Sequence, residues 1–211
     1  VMSSAPIAGI VHGAGVMTME TLATLTTPEL AKVLAPKVQG SLNLHALSAG
    51  LSLDFFVMFS SISAVWGSNQ LAHYAAANIF CDALAHHRRS LGLTALSVNW
   101  GLLAEGGMSA HEDAKFAEAM GLRPLTVAEY TTTMGDLISD GTIQKVAVGI
   151  DFSKFKDVYE MRGKKPLLTE VGNQSGGAQS AQAAYLKEQF GDVPADKLIE
   201  AMRGLTLEAV H

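Results

Sequence analysis

The chain has 211 residues, 48% of them hydrophobic and 17% charged, with a mean hydropathy of +0.23, so it can bury a sizeable core and is not a disordered polymer over most of its length. A net charge of −5 and a pI near 5.8 argue against a nucleic-acid groove, which needs clustered Lys and Arg. Apolar runs such as Phe55–Phe59 fall far short of the ~20 residues that cross a bilayer, so no membrane span is expected. The single cysteine, Cys81, can close no internal disulfide, as expected of a protein in a reducing cytoplasm. The sequence opens at Val1 with neither a basic n-region nor a hydrophobic h-region, so no secretory signal is expected, and the missing initiator Met suggests a piece of a longer chain.

Ile7–His12 is a β-branched apolar run between Pro6 and the Gly13-Ala14-Gly15 break, and predicts a buried strand of the parallel type. Thr27-Pro28-Glu29 sets an N-cap, a first-turn proline and a first-turn acid in the order that starts a helix. Its periodicity carries to about Ala49, with a break and restart expected at Pro36. Leu53–Phe59 predicts a second buried strand running into Ser60-Ser61. A long helix follows from about Gln70 to Arg89, closed by Gly92. Leu93–Trp100 predicts a third strand, ending at Gly101. Residues 102–122 carry Gly and Met with little strand signal and suggest a mobile lid. A helix over about Val127–Ser139 and a strand near Lys145–Ile150 complete a βαβα series, so the fold class is α/β with a parallel sheet and flanking helices. Composition shifts at Gly172: Gly172–Gln182 (GNQSGGAQSAQ) has almost no bulky apolar residue and predicts a flexible linker.

Several polar groups fall where an α/β sheet exposes its carboxyl edge. Ser61 ends the second strand, and Tyr74 and Asn78 stand four apart on one face of the next helix. Lys37 lies on the preceding helical segment. A phenol can protonate an alkoxide formed from a carbonyl, a neighbouring ammonium lowers the phenol's pKa, and a serine hydroxyl can hold the carbonyl oxygen. Taken singly, Ser61 is as well explained by a strand-end cap, Tyr74 by a half-buried helix position and Trp66 by packing. The histidines are scattered, none paired at metal-ligand spacing with acidic or thiol partners, and Cys81 lies on a helix face expected to be buried and inert.

Five segments in order, "GIVHGAG" at Gly9–Gly15, "LAPKVQGSLNLHAL" at Leu34–Leu47, "DFFVMFSSISAVWGS" at Asp54–Ser68, "YAAAN" at Tyr74–Asn78 and "ALSVNWG" at Ala95–Gly101, give the chain a strong likeness to one family. From Ile7 to Leu168 it resembles the ketoreductase domain of modular polyketide synthases, a branch of the short-chain dehydrogenase/reductase superfamily. The superfamily's usual Tyr-x-x-x-Lys is replaced here by Tyr74-x-x-x-Asn78, with the lysine upstream as Lys37, an exchange characteristic of polyketide and fatty-acid synthase ketoreductases.

The resemblance implies a Rossmann-like sheet and NADPH-dependent reduction of a β-ketoacyl thioester carried on an acyl carrier. Tyr74 would be the general acid, Ser61 the carbonyl-oxygen donor, Lys37 the ammonium that lowers the tyrosine's pKa, and Asn78 the fourth member of the tetrad. Gly13, Ala14 and Gly15 would lie against the cofactor's ribose, where small residues admit a close backbone approach. Met108 holds the usual Gly-Met position of the substrate lid, and Trp66, eight residues before Tyr74, resembles the fingerprint of A-type ketoreductases, which give L-configured hydroxyls. No Gly-x-Gly-x-x-Gly turn occurs to cradle a pyrophosphate, so the sheet is expected to lack its N-terminal strands. On this reading residues 1–171 are the C-terminal, tetrad-bearing part of a ketoreductase, 172–183 the linker, and 184–211 the incomplete start of an acyl-carrier-like region. Neighbouring synthase domains are the implied partners. The competing reading is a non-catalytic structural or pseudo-reductase piece of the synthase, and the intact Lys37, Ser61, Tyr74 and Asn78 speak against it.

Overall fold

Each apolar run flanked by Gly, Pro or Ser forms a strand, and each amphipathic stretch between such runs forms a helix. A computed structural model describes residues 6–104, 114–161, 163–164 and 166–169. The expected linker 172–183, the carrier-like segment 184–211 and Met108 lie outside the described residues. The chain divides into two compact units, residues 1–110 with 124–148 and residues 111–123 with 149–211.

The first unit begins with β1 (Gly9–His12), α1 (Thr27–Leu34), a π turn (Ala35–Gln39) and α2 (Gly40–Ser48). It continues with β2 (Phe55–Ser61), the short α3 (Ser63–Trp66), α4 (Ala72–Ser90) and β3 (Leu96–Trp100). After α5 (Ala114–Ala119) and β4 (Leu122–Arg123) of the second unit, α6 (Val127–Ser139) and β5 (Gln144–Ala147) complete it. The strands form one parallel sheet in the order β1-β2-β3-β5. A parallel sheet needs cover on both faces. Alternation along β2 sends Phe56 and Met58 against Cys81, Leu84 and Ala85 of α4, while Val57 joins Leu96 and Val98 beneath Tyr130, Met134, Leu137 and Ile138 of α6. Phe56, Val57 and Met58 are completely buried, which is why this strand is a continuous apolar run. At the β1 edge the Phe55 ring lies over Gly9, where a Cβ would fall 2.3 Å from the ring and force it aside.

Three local readings are corrected, and a fourth falls partly outside the described residues. The N-cap of α1 is Thr26, one residue before the expected Thr27, because its extended backbone lets the hydroxyl accept from the Glu29 N–H at 3.4 Å. The helix does not break at Pro36. Proline offers no N–H to the turn, and the chain widens into a π turn in which Gly40 donates to the Ala35 carbonyl, five residues back. The expected strand near Lys145–Ile150 is two strands: β5 pairs with β3, and after Val148 the chain enters β6 (Gly149–Ile150), which pairs antiparallel with β4 in the second unit. Of the expected mobile lid at 102–122, residues 105–113 are outside the described set, and Ala114–Ala119 is helical.

In the second unit, Gly121 turns with φ +73° and accepts from the Asp151 N–H at 2.7 Å. Asp151 caps α7 (Phe152–Tyr159) by accepting from Ser153 and Lys154, and the buried Phe155 stacks on Tyr159 with centroids 5.1 Å apart.

Helix α6 carries a full capping box: Thr126 Oγ1 accepts from the Glu129 N–H at 3.2 Å, and the Glu129 carboxylate accepts from the Thr126 N–H at 2.9 Å. Thr126→Ala is expected to cost about 1 kcal/mol of stability. Chemical denaturation of the two forms measures it.

Candidate active site

Because β1 and β2 run parallel in the register His12↔Met58, the Gly13-Ala14-Gly15 run leaves the same carboxyl edge at which Ser61 ends β2. Open α/β sheets bind ligands at that edge.

Tyr74, in the first turn of α4, is 7% exposed, its ring packed with Val33, Leu71 and Ala77 and bordered by Val16 and Met17. Burial pushes its phenol above the usual tyrosine range, while hydrogen bonding from Asn78 and Ser61 pulls it down. Ser61 Oγ lies 2.7 Å from Ser63 Oγ and accepts from the Ser63 N–H at 3.2 Å, which ties the hydroxyl to the first turn of α3. Asn78 is fully buried and its Nδ2 donates to the Tyr74 carbonyl at 2.8 Å. Its Oδ1 is buried without a hydrogen-bond partner, an acceptor that a bound ligand or water would satisfy. Ser61, Tyr74 and Asn78 are thus brought together.

Lys37 is placed by the π turn. The widened turn leaves the Pro36 and Lys37 carbonyls to side-chain donors: His12 Nε2 donates to Pro36 O at 3.0 Å, and the Ser41 hydroxyl donates to Lys37 O. Lys37 is only 2% exposed, and its ammonium donates to the Phe59 carbonyl of β2 at 2.6 Å, two residues before Ser61. Burial holds this ammonium below the usual lysine range, and Cys81 and Asp82 oppose that shift. His12 is likewise pushed down, first by burial and then by the charge of Lys37. The expected lowering of the Tyr74 pKa by Lys37 is not what this geometry produces. The ammonium is engaged with a strand carbonyl, the groups acting on Tyr74 are Asn78, Ser61 and Cys81, and the net shift of the phenol is upward. Burial pushes the Cys81 thiol up to about 11, consistent with an inert thiol.

Trp66 is half-buried at the end of α3, where Gly67 turns the chain with φ +80°. Among the described residues no helix is long and apolar enough to cross a membrane.

Sequence reasoning missed a buried polar network behind the site. Asp82 accepts from Ser97 Oγ at 2.6 Å and from Asn99 Nδ2 at 2.8 Å, and Asn99 Nδ2 also lies 2.9 Å from Ser60 Oγ. Ser60 donates to the Asn78 carbonyl at 3.2 Å, and Gln144 donates to Asn99 Oδ1 at 3.1 Å. The available signal was two polar residues spaced by two, Ser97 and Asn99, on one face of an otherwise apolar strand, and Asp82 one helical turn after Asn78.

The KR domain family matches residues 1–105. The chain is 32% identical over 191 residues to erythronolide synthase EryA3 of Saccharopolyspora erythraea, covering 90% of this chain and 6% of that protein. It is 40% identical over 169 residues to polyketide synthase PksN of Bacillus subtilis, covering 77% of this chain and 3% of that one. Among solved structures, an A-type ketoreductase from a modular polyketide synthase is similar at TM-score 0.75 and 34% identity, over 79% of this chain and 36% of that chain. A C2-type ketoreductase gives TM-score 0.74 at 28% identity, over 82% of this chain and 38% of that one. The chain therefore spans a small part of these synthases and little more than a third of these two ketoreductase chains.

Proposed function

The chain belongs to the ketoreductase (KR) domains of modular polyketide synthases, and from that membership we propose that it supplies the catalytic tetrad for NADPH-dependent reduction of a carrier-bound β-ketoacyl thioester to the β-hydroxyacyl thioester. The observation that carries this reading is the meeting of Ser61, Tyr74 and Asn78 at the carboxyl edge of the sheet. A nicotinamide coenzyme, when bound, supplies the hydride. The residues present fit such a group: Gly13-Ala14-Gly15 leaves backbone open at the strand end, and Asn78 Oδ1 awaits a donor.

Ser61 donates a hydrogen bond to the substrate carbonyl oxygen and polarises it. As negative charge grows there, the Tyr74 hydroxyl delivers its proton to that oxygen, so hydride and proton together convert the ketone into a secondary alcohol. The raised pKa keeps Tyr74 protonated, and so competent as an acid, throughout the neutral range. Lys37 puts fixed positive charge beneath β2, in a site dry enough for that charge to act strongly. Asn78 fixes the helix turn that carries Tyr74. Trp66 and the likeness to A-type ketoreductases support the L-configured alcohol, although the nearly equal likeness to a C2-type domain means that overall fold does not select the type.

The test is to incubate the full-length protein with a β-ketoacyl thioester and NADPH, then follow coenzyme oxidation and resolve the product by chiral chromatography. The expected result is a single β-hydroxyacyl thioester enantiomer formed in step with NADPH consumption, with NADH markedly poorer. Absence of coenzyme-dependent reduction across several chain lengths would sink the proposal.

A further inference from the structure

We propose that Asn99 is a positioning residue for the reduction: its buried side-chain amide locks the face of α4 that carries Tyr74 to the end of β2 that carries Ser61. This role rests on the functional reading above, in which Tyr74 gives the proton and Ser61 holds the carbonyl oxygen.

Asn99 stands in β3 opposite Ser60 of β2 and is completely buried. A buried amide is costly unless its donors and its acceptor find partners, and a strand seldom carries one. Every one of these groups is partnered here. Nδ2 donates to Asp82 Oδ2 at 2.8 Å and to Ser60 Oγ at 2.9 Å, with the Ser61 carbonyl at 3.3 Å. Oδ1 accepts from Gln144 Nε2 of β5 at 3.1 Å. The partners fix the orientation of the amide, since a carboxylate only accepts and the NH2 group must face Asp82. The other Asp82 oxygen accepts from Ser97 Oγ at 2.6 Å, two residues away on the same face of β3.

Tyr74, Asn78 and Asp82 recur every four residues and share one face of α4. Having accepted from Asn99, the Ser60 hydroxyl gives its one proton to the Asn78 carbonyl at 3.2 Å. The bonds therefore form a ring. They leave α4 at Asp82, cross Asn99 of β3 and Ser60 of β2, and return to α4 at Asn78, one turn nearer Tyr74. Asn78 Nδ2 carries the constraint into that turn by donating to the Tyr74 carbonyl at 2.8 Å. The apolar contacts between these elements, Phe56 and Met58 against Cys81, Leu84 and Ala85, tolerate a small roll of the helix, whereas hydrogen bonds weaken steeply with misalignment. A buried ring with every partner satisfied is rigid, so the placement of Ser61 relative to Tyr74 is set through Asn99.

In this chain labelled with 15N, the Asn99 carboxamide, assigned by its through-space contacts to Ser60 and Gln144, is expected to exchange its protons with solvent about 10²-fold more slowly than that of the exposed Asn43. Ser60→Ala opens the ring by one hydroxyl and should speed that exchange about tenfold. Exchange as fast as that of Asn43, or unchanged by Ser60→Ala, would overturn the proposal. In the full-length protein, Asn99→Ser should lower kcat by about 10² at nearly constant KM, the cost of a slight misplacement of the reacting groups. Ser60→Ala should lower kcat in the same manner, and the double variant should be no slower than Asn99→Ser, because both changes open one ring. If Asn99→Ser fails to fold, Ser60→Ala alone is read, with a lowered kcat at nearly constant KM as the expected result. An unaltered kcat, a loss that appears as a raised KM, or losses that multiply in the double variant would each refute the positioning role, the last because independent packing defects add in free energy. Should the unaltered protein reduce no thioester at all, the functional reading fails, while the carboxamide exchange still decides whether Asn99 locks α4 to β2.

Discussion

Tyr74→Phe is expected to lower thioester reduction in the full-length protein by about 10²–10⁴, the usual contribution of a positioned general acid. The substitution removes one hydroxyl and leaves the ring among Val33, Leu71 and Ala77, so stability and coenzyme affinity should change little. The loss should therefore fall on kcat. Ser61 and Asn78 are the groups that pull the phenol's pKa down, and neither carries an acidic proton that could take over. Steady-state kinetics with a β-ketoacyl thioester checks the result, and full turnover by the Phe variant would move the proton donor elsewhere.

Lys37→Met should lower turnover by about 10², since it removes a preorganised charge from a dry site while an unbranched stem of similar length keeps the packing. The pH profile carries the sharper information. Burial holds the Lys37 ammonium below its ordinary value and pushes the Tyr74 phenol above its own. Loss of the Lys37 proton should contribute to the alkaline limb of the unaltered protein, and Lys37→Met should remove that contribution and so change the limb. A solvated surface lysine would shift nothing and cost little. An unchanged rate and an unchanged limb would remove Lys37 from the tetrad.

Much of the architecture is a matter of local pattern. Phe55–Phe59 is an apolar run because both faces of β2 are covered, and that requirement is written in consecutive residues. Gly92, with φ +76°, stops the long helix where a glycine after basic residues should stop it. Tyr74 and Asn78 share a helix face by spacing alone, and Ser61 is a strand-end serine by the same logic. The boundary after β5 escaped because Val146–Ile150 keeps one hydrophobic character while the chain passes from one sheet to another.

By itself, then, the sequence of this chain determined the alternation of parallel strands and helices and the family resemblance, and it singled out Lys37, Ser61, Tyr74 and Asn78 as the proposed tetrad, since each depends on local pattern. Only the tertiary structure decided where the charges point. The π turn at Pro36 directs the Lys37 ammonium to the Phe59 carbonyl, 22 residues away in sequence, which is why the phenol of Tyr74 is governed by burial, Asn78 and Ser61 instead. Asp82 meets Ser97 and Asn99 across 15 and 17 residues, and Asn99 meets Ser60 across 39. These contacts depend on the register of β2 against β3 and on the rotation of α4 over both. Hydrophobic periodicity specifies which face is buried but not which buried polar atoms are placed opposite one another, because packing energy is nearly blind to the small rotations that make or break a directional hydrogen bond.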